Sequence, residues 1–291
     1  MSWRRQSILS ASQFSVSDLN EILALSLRLE NDLQRSRNLK LLDDYVLATM
    51  FFEPSTRTRL SFEAAMHRLG GRVISTVGVQ FSSLAKGETL FDTLKMLESY
   101  SDICAIRHSV EGASSLAARS IRIPVINAGD GAGEHPTQGL LDLYTIHRRG
   151  YLEKSQLTVA FVGDIKYGRT IHSLVQLLSH FKVNMVFISP RELALPEKYR
   201  ELLSRAGVNY TETEEIAALR EAHVGYVTRI QEERFVDHRE YEKFKDAYVV
   251  DTDLVGQCRK DLIVMHPLPR LSEVSTDLDS HPSAVYFEQA N

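Results

Sequence analysis

Four arginines that follow predicted strands suggest chemistry on substrates with several negative charges. Each comes just after an apolar run typical of a strand, and the four are Arg57, Arg107, Arg169 and Arg229. In open α/β sheets, ligands bind beyond the carboxyl ends of the strands, so side chains at these positions are candidates for a binding site. The chain has a net charge of −4, so the positive charge is local. The joint pattern predicts an anion site, although single surface arginines are common.

Residues 53–59, with the sequence EPSTRTR, carry the strongest local signal for phosphate binding. Pro54 suits the first turn of a helix, and the start of a helix presents unpaired backbone N–H groups to an anion. Ser55, Thr56 and Thr58 add hydroxyl donors, and the two arginines add guanidinium charge. The segment predicts a phosphate site, with a capped helix carrying surface arginines as the alternative.

A glycine-rich loop occupies residues 127–138, with the sequence NAGDGAGEHPTQ. Its three glycines allow the backbone to approach a ligand closely. His135 and Gln138 lie at the start of the helix that follows, where a neutral imidazole or an amide can hydrogen-bond a carbonyl oxygen. A structural role for a histidine at a helix start is the alternative.

The second half of the chain supplies candidates that are individually weaker. Residues 163–170 (GDIKYGRT) differ from the GxGxxG pattern and lack a well-placed acidic ribose partner, so a dinucleotide site is not predicted. They place Arg169 at the start of a helix instead. After the next apolar run, Arg229 is followed by Gln231 and Arg234.

Two further segments complete the set of candidates. Residues 266–270 (HPLPR) contain two prolines, which leave few N–H donors, so this turn is expected to offer backbone carbonyls to a ligand. Lys86 lies in the polar stretch 81–93, for which a solvated loop is an equal alternative. No serine–histidine–acid order, reactive cysteine or metal-ligand spacing competes with the anion site.

The order of apolar runs and amphipathic stretches predicts an α/β protein of two domains, each a parallel sheet flanked by helices. The predicted strands are residues 45–52, 72–77, 102–107, 124–128, 157–164, 184–189, 224–228, 247–250 and 262–265. One predicted helix starts at residues 15–18. The other predicted helices cover residues 60–69, 88–100, 111–119, 137–149, 169–181 and 196–207. A chain of 291 residues is natural for two domains. We place them at 1–148 and 149–291, divided within the polar stretch 147–156.

Composition narrows the class of protein. With 34 basic and 38 acidic residues, the chain does not suggest nucleic acid or an anionic membrane as a partner. Cys104 and Cys258 are expected to be free thiols in or near the core, which fits a reducing compartment. The N-terminus lacks an apolar signal segment, and no apolar run is long enough to cross a bilayer. We therefore expect a soluble, cytoplasmic protein.

Seven motifs together resemble the catalytic chains of the aspartate carbamoyltransferase family. In chain order they are FFEPSTRTRLSFEAA, SSLAKGETLFDT, IRHS, INAGDGAGEHPTQGLLDLYTI, VGDIKYGRTIHSL, YVTRIQEERF and MHPLPRLSEV. The resemblance extends from about residue 7 to the end. It implies the transcarbamoylase fold, with a carbamoyl-phosphate domain followed by an aspartate domain. The implied reaction joins carbamoyl phosphate to L-aspartate, an early committed step of de novo pyrimidine (UMP) biosynthesis, with no cofactor or metal.

The resemblance also implies roles for individual residues around carbamoyl phosphate. The phosphate would be bound by Ser55, Thr56, Arg57, Thr58 and Arg107. The carbamoyl oxygen would be polarised by the catalytic set Thr58, Arg107 and His135. The carbamoyl nitrogen would be held by Gln138 and the carbonyls of Pro267 and Leu268. The family forms a homotrimer with active sites shared between chains, and the neighbouring chain would contribute Ser83 (or Ser82) and Lys86.

For the second substrate, the aspartate carboxylates would be bound by Lys86, Arg169, Thr170, Arg229 and Gln231. Glu53 would pair with Arg169 and Arg234 when the domains close. The neutral aspartate amine would attack the carbamoyl carbon, and phosphate would leave; no side chain stands out as a general base.

Two alternatives remain open at this point. An ornithine carbamoyltransferase would share STRTR and HPTQ, but its family has a cysteine where this chain has Pro267, and Arg229 and Gln231 suit a second carboxylate. A catalytically silent homologue is the other alternative. The chain retains every matched polar residue, which argues against it. Whether the trimer joins regulatory chains or other pyrimidine-pathway enzymes is left open. Family chains usually continue past FEQAN with a helix that packs on the first domain, whereas this sequence ends at Asn291.

Overall fold

The computed structural model describes residues 6–77, 83–230 and 238–291. The chain forms two compact units, of which the first ends at Thr137 and the second begins at Gln138. The predicted domain boundary at residues 148 and 149 lies at the other end of the helix that contains this division.

The first unit is built on a four-stranded parallel sheet in the order β2-β1-β3-β4. Its strands are β1 (Val46–Phe51), β2 (Arg72–Val77), β3 (Ile103–His108) and β4 (Val125–Asp130). Its helices are α1 (Val16–Arg35), α2 (Thr56–Arg68), α3 (Leu90–Tyr100) and α4 (Ala113–Ser120), and α5 (Pro136–Arg148) begins in it. Short 3-10 helices lie at Ala11–Gln13 and Ser83–Lys86.

The second unit is built on a five-stranded parallel sheet in the order β7-β6-β5-β8-β9. Its strands are β5 (Leu157–Val162), β6 (Val183–Ile188), β7 (Tyr210–Thr213), β8 (Val224–Val227) and β9 (Ile263–Met265). Its helices are α6 (Arg169–Leu178), α7 (Glu197–Ala206), α8 (His238–Phe244), α9 (Thr252–Gly256) and α10 (Tyr286–Gln289). Further 3-10 helices are Tyr151–Glu153, Arg191–Leu193, Ile216–Glu221 and Thr276–Ser280.

The sequence determines these elements through familiar local signals. Ser15 caps α1 by accepting from the backbone N–H of Asp18, and the Asp18 carboxylate accepts from the N–H of Ser15, which completes a capping box. The central strands β1, β5 and β8 are almost entirely buried, as is the middle of β3, which is expected for strands covered on both faces. Gly207 ends α7 in the left-handed conformation, with φ of 68°.

The N-terminal segment lies along β4, the edge strand of the first sheet. Ile8 bridges Ile126 in parallel, and the Ile8 N–H donates to the Val125 carbonyl at 2.8 Å. The Ser7 hydroxyl accepts from the N–H of Val125 at 2.9 Å. These bonds occupy polar groups of the edge strand that would otherwise stay unpaired.

The two parallel sheets flanked by helices confirm the predicted fold class, and eight of the nine predicted strands match strands of the structure. The predicted strand at 247–250 is wrong. Tyr248 and Val250 are buried in the core of the second unit, but the segment makes only an isolated bridge between Val250 and Val274. The segment is apolar because it is buried in the core, and not because it pairs within a sheet. Strand β7 was not predicted, because its mostly exposed polar sequence YTET lacks an apolar pattern.

Candidate active site

The predicted phosphate-binding segment after β1, Arg107 and the glycine-rich loop after β4 lie at the carboxyl edge of the first sheet. In the parallel register, Phe51 of β1 lies beside Arg107 of β3, and β3 lies beside β4. The segment that follows β1 and the loop that follows β4 therefore leave the same edge as Arg107.

The segment after β1 turns directly into α2. This helix begins at Thr56, within the helix start predicted at residues 53–59, so the hydroxyls of Thr56 and Thr58 belong to its first turn. Ser55 occupies the N-cap position, and its side chain forms no capping hydrogen bond with the described part of the chain. The first turn thus has the unpaired backbone N–H groups of a helix start, together with two threonine hydroxyls, two arginines and no carboxylate.

Two guanidinium groups lie at this end of the sheet: Arg57 in the first turn of α2 and Arg107 on β3. Partial burial of the guanidinium lowers the pKa of Arg57 from its ordinary value, yet an arginine stays charged at neutral pH. Arg107 donates through Nε to Glu53 Oε2 at 3.2 Å, and both side chains are largely shielded from solvent. Glu53 therefore holds Arg107 at the sheet edge in this structure.

Two carboxylates that the sequence analysis did not single out shape the loop before His135. Asp130 accepts from the N–H groups of Gly112 and Glu134, both at 3.0 Å. Glu134 accepts from the Ser10 hydroxyl at 2.7 Å and the Ala11 N–H at 2.6 Å, which ties the loop to the N-terminal segment. Polar side chains between glycines in this loop were a visible signal for such a role.

His135 follows this braced loop and is buried. Its Nδ1 lies 3.3 Å from the Thr137 hydroxyl. The imidazole is therefore held at the start of α5 beside the same sheet edge as Arg107, where it can meet a carbonyl oxygen of a bound molecule.

The predicted contribution from a neighbouring chain lies on the segment after β2. Lys86 ends the 3-10 helix Ser83–Lys86 and is exposed. Ser82 lies outside the described residues. The predicted role of Lys86 and Ser83 across a subunit interface stays a prediction.

In the second unit, β5 and β8 bring two predicted arginines to one sheet edge. Val162 pairs with Val227, and Gly163 follows with φ of 109°. A Cβ at Gly163 would lie 2.2 Å from the Thr228 carbonyl oxygen, so only glycine allows this approach. Arg229 follows Thr228 directly, and Arg169 opens α6 at the end of the loop that starts at Gly163. Both arginine side chains are half-buried.

A buried carboxyl group that the sequence analysis missed lies at the centre of a hydrogen-bond network in the second unit. Asp142 accepts from Gln138 Nε2 at 2.9 Å and from Gln289 Nε2 at 2.6 Å through Oδ1. Its Oδ2 accepts from the Tyr226 hydroxyl at 2.7 Å. Burial raises the pKa of Asp142 to about 7, although the three hydrogen bonds act in the opposite direction. The separation of Gln138 and Asp142 by four residues on α5 was the available signal.

The HPLPR turn is held by its own histidine. The Leu268 N–H donates to His266 Nδ1 at 2.8 Å, so the proton of a neutral ring resides on Nε2, which lies 2.8 Å from Glu273 Oε1. Burial opposes ionisation of Glu273, but the hydrogen bonds from His266 and the backbone outweigh it and lower the pKa. Leu268 adopts a positive φ of 52°, and its peptide bond to Pro269 is cis.

The remaining features concern two candidate residues after Arg229, the cysteines, metal binding and membrane-spanning helices. Gln231 and Arg234 lie outside the described residues. The two cysteines are free thiols, and burial raises the pKa of Cys104 to about 12, so it is not an activated nucleophile. Within residues 6–77, 83–230 and 238–291, no group of three or more histidine, cysteine or carboxylate side chains is placed to hold a metal ion. None of the described helices has the length and apolar character required to cross a membrane.

Comparisons with known proteins find relatives along the whole chain. Residues 6–148 match the family model of the aspartate/ornithine carbamoyltransferase carbamoyl-P binding domain, and residues 155–291 match the Asp/Orn binding domain of the same family. The aspartate carbamoyltransferase catalytic subunit of Leptospira biflexa is 56% identical over 289 residues, which are 99% of this chain and 93% of the relative.

Solved structures agree with these matches. The catalytic subunit of M. jannaschii aspartate transcarbamoylase is 48% identical with a TM-score of 0.89, over 98% of this chain and 93% of that one. The Trypanosoma cruzi aspartate transcarbamoylase in complex with carbamoyl phosphate and aspartate is 39% identical with a TM-score of 0.92, over 98% and 92% of the two chains. The resemblance inferred from the seven motifs is confirmed.

Proposed function

The chain belongs to the aspartate/ornithine carbamoyltransferase family, and we propose that it transfers the carbamoyl group of carbamoyl phosphate to L-aspartate. The products are N-carbamoyl-L-aspartate and phosphate, and the reaction serves pyrimidine biosynthesis. The observation that carries the proposal is the arrangement of the start of α2 and Arg107 at the carboxyl edge of the first sheet. There the first turn of α2 and Arg107 leave neighbouring strands β1 and β3 in register.

The phosphate of carbamoyl phosphate suits the start of α2. Ser55, Thr56 and Thr58 supply hydroxyl donors, and the backbone N–H groups of the first turn face an anion. Arg57 and Arg107 supply charge that matches phosphate oxygens in a bidentate manner. Ser83 and Lys86 are proposed to join this site from a neighbouring chain of a homotrimer.

The oxygen and the nitrogen of the carbamoyl group are proposed to be bound by different sets of groups. His135, Thr58 and Arg107 donate to its oxygen, which becomes an oxyanion in the tetrahedral transition state. Gln138 and the carbonyls of Pro267 and Leu268 accept from its nitrogen. The turn that carries these carbonyls has two prolines, and its Leu268 N–H is already bonded to His266.

The acceptor amino acid is proposed to bind at the edge of the second sheet. Arg169 and Arg229 bind its two carboxylates, with support from Thr170, Gln231 and Lys86. The match to the Asp/Orn binding domain leaves ornithine as the second candidate acceptor. Two half-buried arginines favour a dicarboxylate over an amino acid with a cationic side chain: Arg229 follows β8, and Arg169 opens the helix after the adjacent strand β5.

The reaction is proposed to proceed by direct attack of the neutral aspartate amine on the carbamoyl carbon. A C–N bond forms, the bond from carbon to the phosphate oxygen breaks, and the phosphate leaves with the amine proton. Holding the two substrates in contact supplies much of the acceleration, and no protein general base is assigned. The closure contacts of Glu53 with Arg169 and Arg234, and a cytoplasmic location, remain predictions.

The test is formation of N-carbamoyl-L-aspartate by the purified chain from carbamoyl phosphate and L-aspartate. Parallel reactions replace L-aspartate with L-ornithine or use the variant Arg57→Ala. We expect product with aspartate, none with ornithine, and a loss of at least about a hundredfold in kcat/KM for the variant, since two or more charge-assisted hydrogen bonds are removed. A folded wild-type chain that makes no product would overturn the proposal. Citrulline formation from ornithine would instead assign the second candidate.

A further inference from the structure

The carboxyl group of Asp142 joins three elements of the second unit. It is fully buried, and its hydrogen-bond donors come from α5 itself, from β8 and from α10. Each donor is an uncharged side chain, so the carboxyl group is not part of an ion pair with them. This buried carboxyl group is costly to ionise, bonds the proposed ligand-binding residue Gln138 directly, and is linked through Gln289 to the turn at 266–270. That combination calls for a functional account.

The bond from Gln138 determines which side of its amide faces a ligand. Gln289 accepts at Oε1 from the His266 N–H, so its Nε2 donates to Asp142 Oδ1, and Oδ1 is an acceptor whether or not the other carboxyl oxygen carries a proton. The nitrogen of the Gln138 amide therefore faces Oδ1, at 2.9 Å. The amide oxygen is then directed away from Asp142. The carbamoyl nitrogen of carbamoyl phosphate is a donor and needs an acceptor, whereas a flipped amide would present a second donor to it.

Gln289 connects the Asp142 carboxyl group to the HPLPR turn. Gln289 donates through Nε2 to Asp142 and accepts at Oε1 from the His266 N–H at 2.8 Å. The turn that carries the carbonyls of Pro267 and Leu268 is therefore attached, through one buried amide, to the same carboxyl oxygen as Gln138.

We propose that Asp142 is a positioning residue that presents the Gln138 amide oxygen and the 267–268 carbonyls as acceptors for the carbamoyl nitrogen. This inference rests on the proposed function and assigns a role to a residue that touches no substrate. It explains why α5 carries a buried carboxyl group one turn after Gln138.

The third bond links Asp142 to the aspartate side. Tyr226 is fully buried on β8, and its hydroxyl hydrogen-bonds both Asp142 and the Thr170 side chain. Because the hydroxyl has one proton, which it donates to the carboxyl group, Thr170 donates to the tyrosine oxygen. Tyr226→Phe should therefore raise KM for aspartate through Thr170 and leave carbamoyl phosphate affinity within about twofold, since the bond to Gln138 is kept.

The main experiment compares Asp142→Ala, Gln138→Ala and the double variant of the full chain. Titration calorimetry gives Kd for carbamoyl phosphate and, separately, for inorganic phosphate. We expect Asp142→Ala to weaken carbamoyl phosphate binding about tenfold, from loss of an oriented hydrogen bond. Phosphate has no carbamoyl nitrogen, so its Kd should stay within about twofold. The double variant should bind carbamoyl phosphate at most about threefold more weakly than Gln138→Ala, because the two residues act together.

Two control variants separate positioning from loosening of the helix. Asp142→Asn keeps the volume and one acceptor oxygen, and should retain carbamoyl phosphate affinity within about threefold. Thr145→Ala removes a buried hydroxyl of α5 that bonds the Leu141 carbonyl, and should leave both affinities unchanged. Circular dichroism and thermal unfolding confirm that each variant is folded.

Three outcomes would overturn the inference: a folded Asp142→Ala with unchanged carbamoyl phosphate affinity, an equal loss for phosphate, or full additivity with Gln138→Ala. Failure of the wild type to make N-carbamoyl-aspartate would instead overturn the proposed function. If Asp142→Ala does not fold, a crystal structure of Asp142→Asn with carbamoyl phosphate replaces the cycle. The introduced amide oxygen should accept from Gln138 Nε2, and a Gln138 side chain turned away from the carbamoyl nitrogen would refute the proposal.

Discussion

Replacing Asp142 with asparagine should change how the free energy of unfolding depends on pH. Burial raises the pKa of Asp142 to about 7, whereas an unfolded aspartate titrates near 3.9. Because the pKa is higher in the folded state, the folded chain binds more protons between these values, and stability falls as pH rises from about 4 to about 7. Each pH unit in this range costs about 1.4 kcal/mol, and the full difference is about 4 kcal/mol.

Asp142→Asn resembles the protonated carboxyl group in shape and cannot ionise. Its free energy of unfolding should therefore lack this contribution, and the difference between variant and wild type should grow by about 2–3 kcal/mol in favour of the variant between pH 5 and pH 7. The only titratable donor to the carboxyl group in the described chain is Tyr226, whose pKa burial raises well above 10, so it stays protonated throughout.

Urea unfolding of both proteins at pH 5, 6, 7 and 8 measures the effect, at one protein concentration because assembly links stability to concentration. Thr145→Ala serves as a control, since it removes a buried hydroxyl from the same helix without changing an ionisable group. Parallel stability curves for wild type and Asp142→Asn across this range would show that the carboxyl group is not held protonated, and the reasoning from burial would be wrong.

Three further predictions concern the substrates, the assembly and the fold. Arg229→Ala should raise KM for aspartate at least about a hundredfold, with Kd for carbamoyl phosphate nearly unchanged; equal aspartate saturation would remove the case for a dicarboxylate site. Lys86→Ala and Arg57→Ala chains, each nearly inactive alone, should regain a sizeable fraction of wild-type activity when mixed, since a mixed trimer contains one native interface. If the subunits exchange and no activity returns, Lys86 acts within its own chain. Gly163→Ala should lower the free energy of unfolding by about 1–3 kcal/mol or more, because the added Cβ meets the Thr228 carbonyl at a positive φ; an unchanged urea midpoint would contradict it.

The sequence predicted the parts of the site that lie in single short segments. The arginines after strands were found because a parallel α/β pattern fixes where strand ends go, and the structure brings Arg107 to the same edge as α2. The start of α2 was indicated by Pro54, because Thr56 and Arg57 lack the apolar spacing that marked residues 60–69. The resemblance to a family added roles that spacing alone left open.

Residues that act through distant partners were not predictable in this way. Asp142 receives hydrogen bonds from Tyr226 and Gln289, which are 84 and 147 residues away in sequence. The four-residue spacing of Gln138 and Asp142 on α5 indicates only one of its hydrogen bonds and does not show that the carboxyl group is buried. The link between Glu134 and Ser10 spans 124 residues and was invisible for the same reason.

The attachment of the N-terminal segment to β4 has a consequence for the order of events during synthesis. Ser7 is synthesised before its partner Val125, which follows 118 residues later. At about 5–20 residues per second, this delay is roughly 6 to 24 seconds. During that time the segment has no strand to pair with, and the loop before His135 does not yet exist. The segment around Ser7 therefore cannot take its place in the unit until β4 has been made, and its bonds to Glu134 wait for the loop that carries the imidazole.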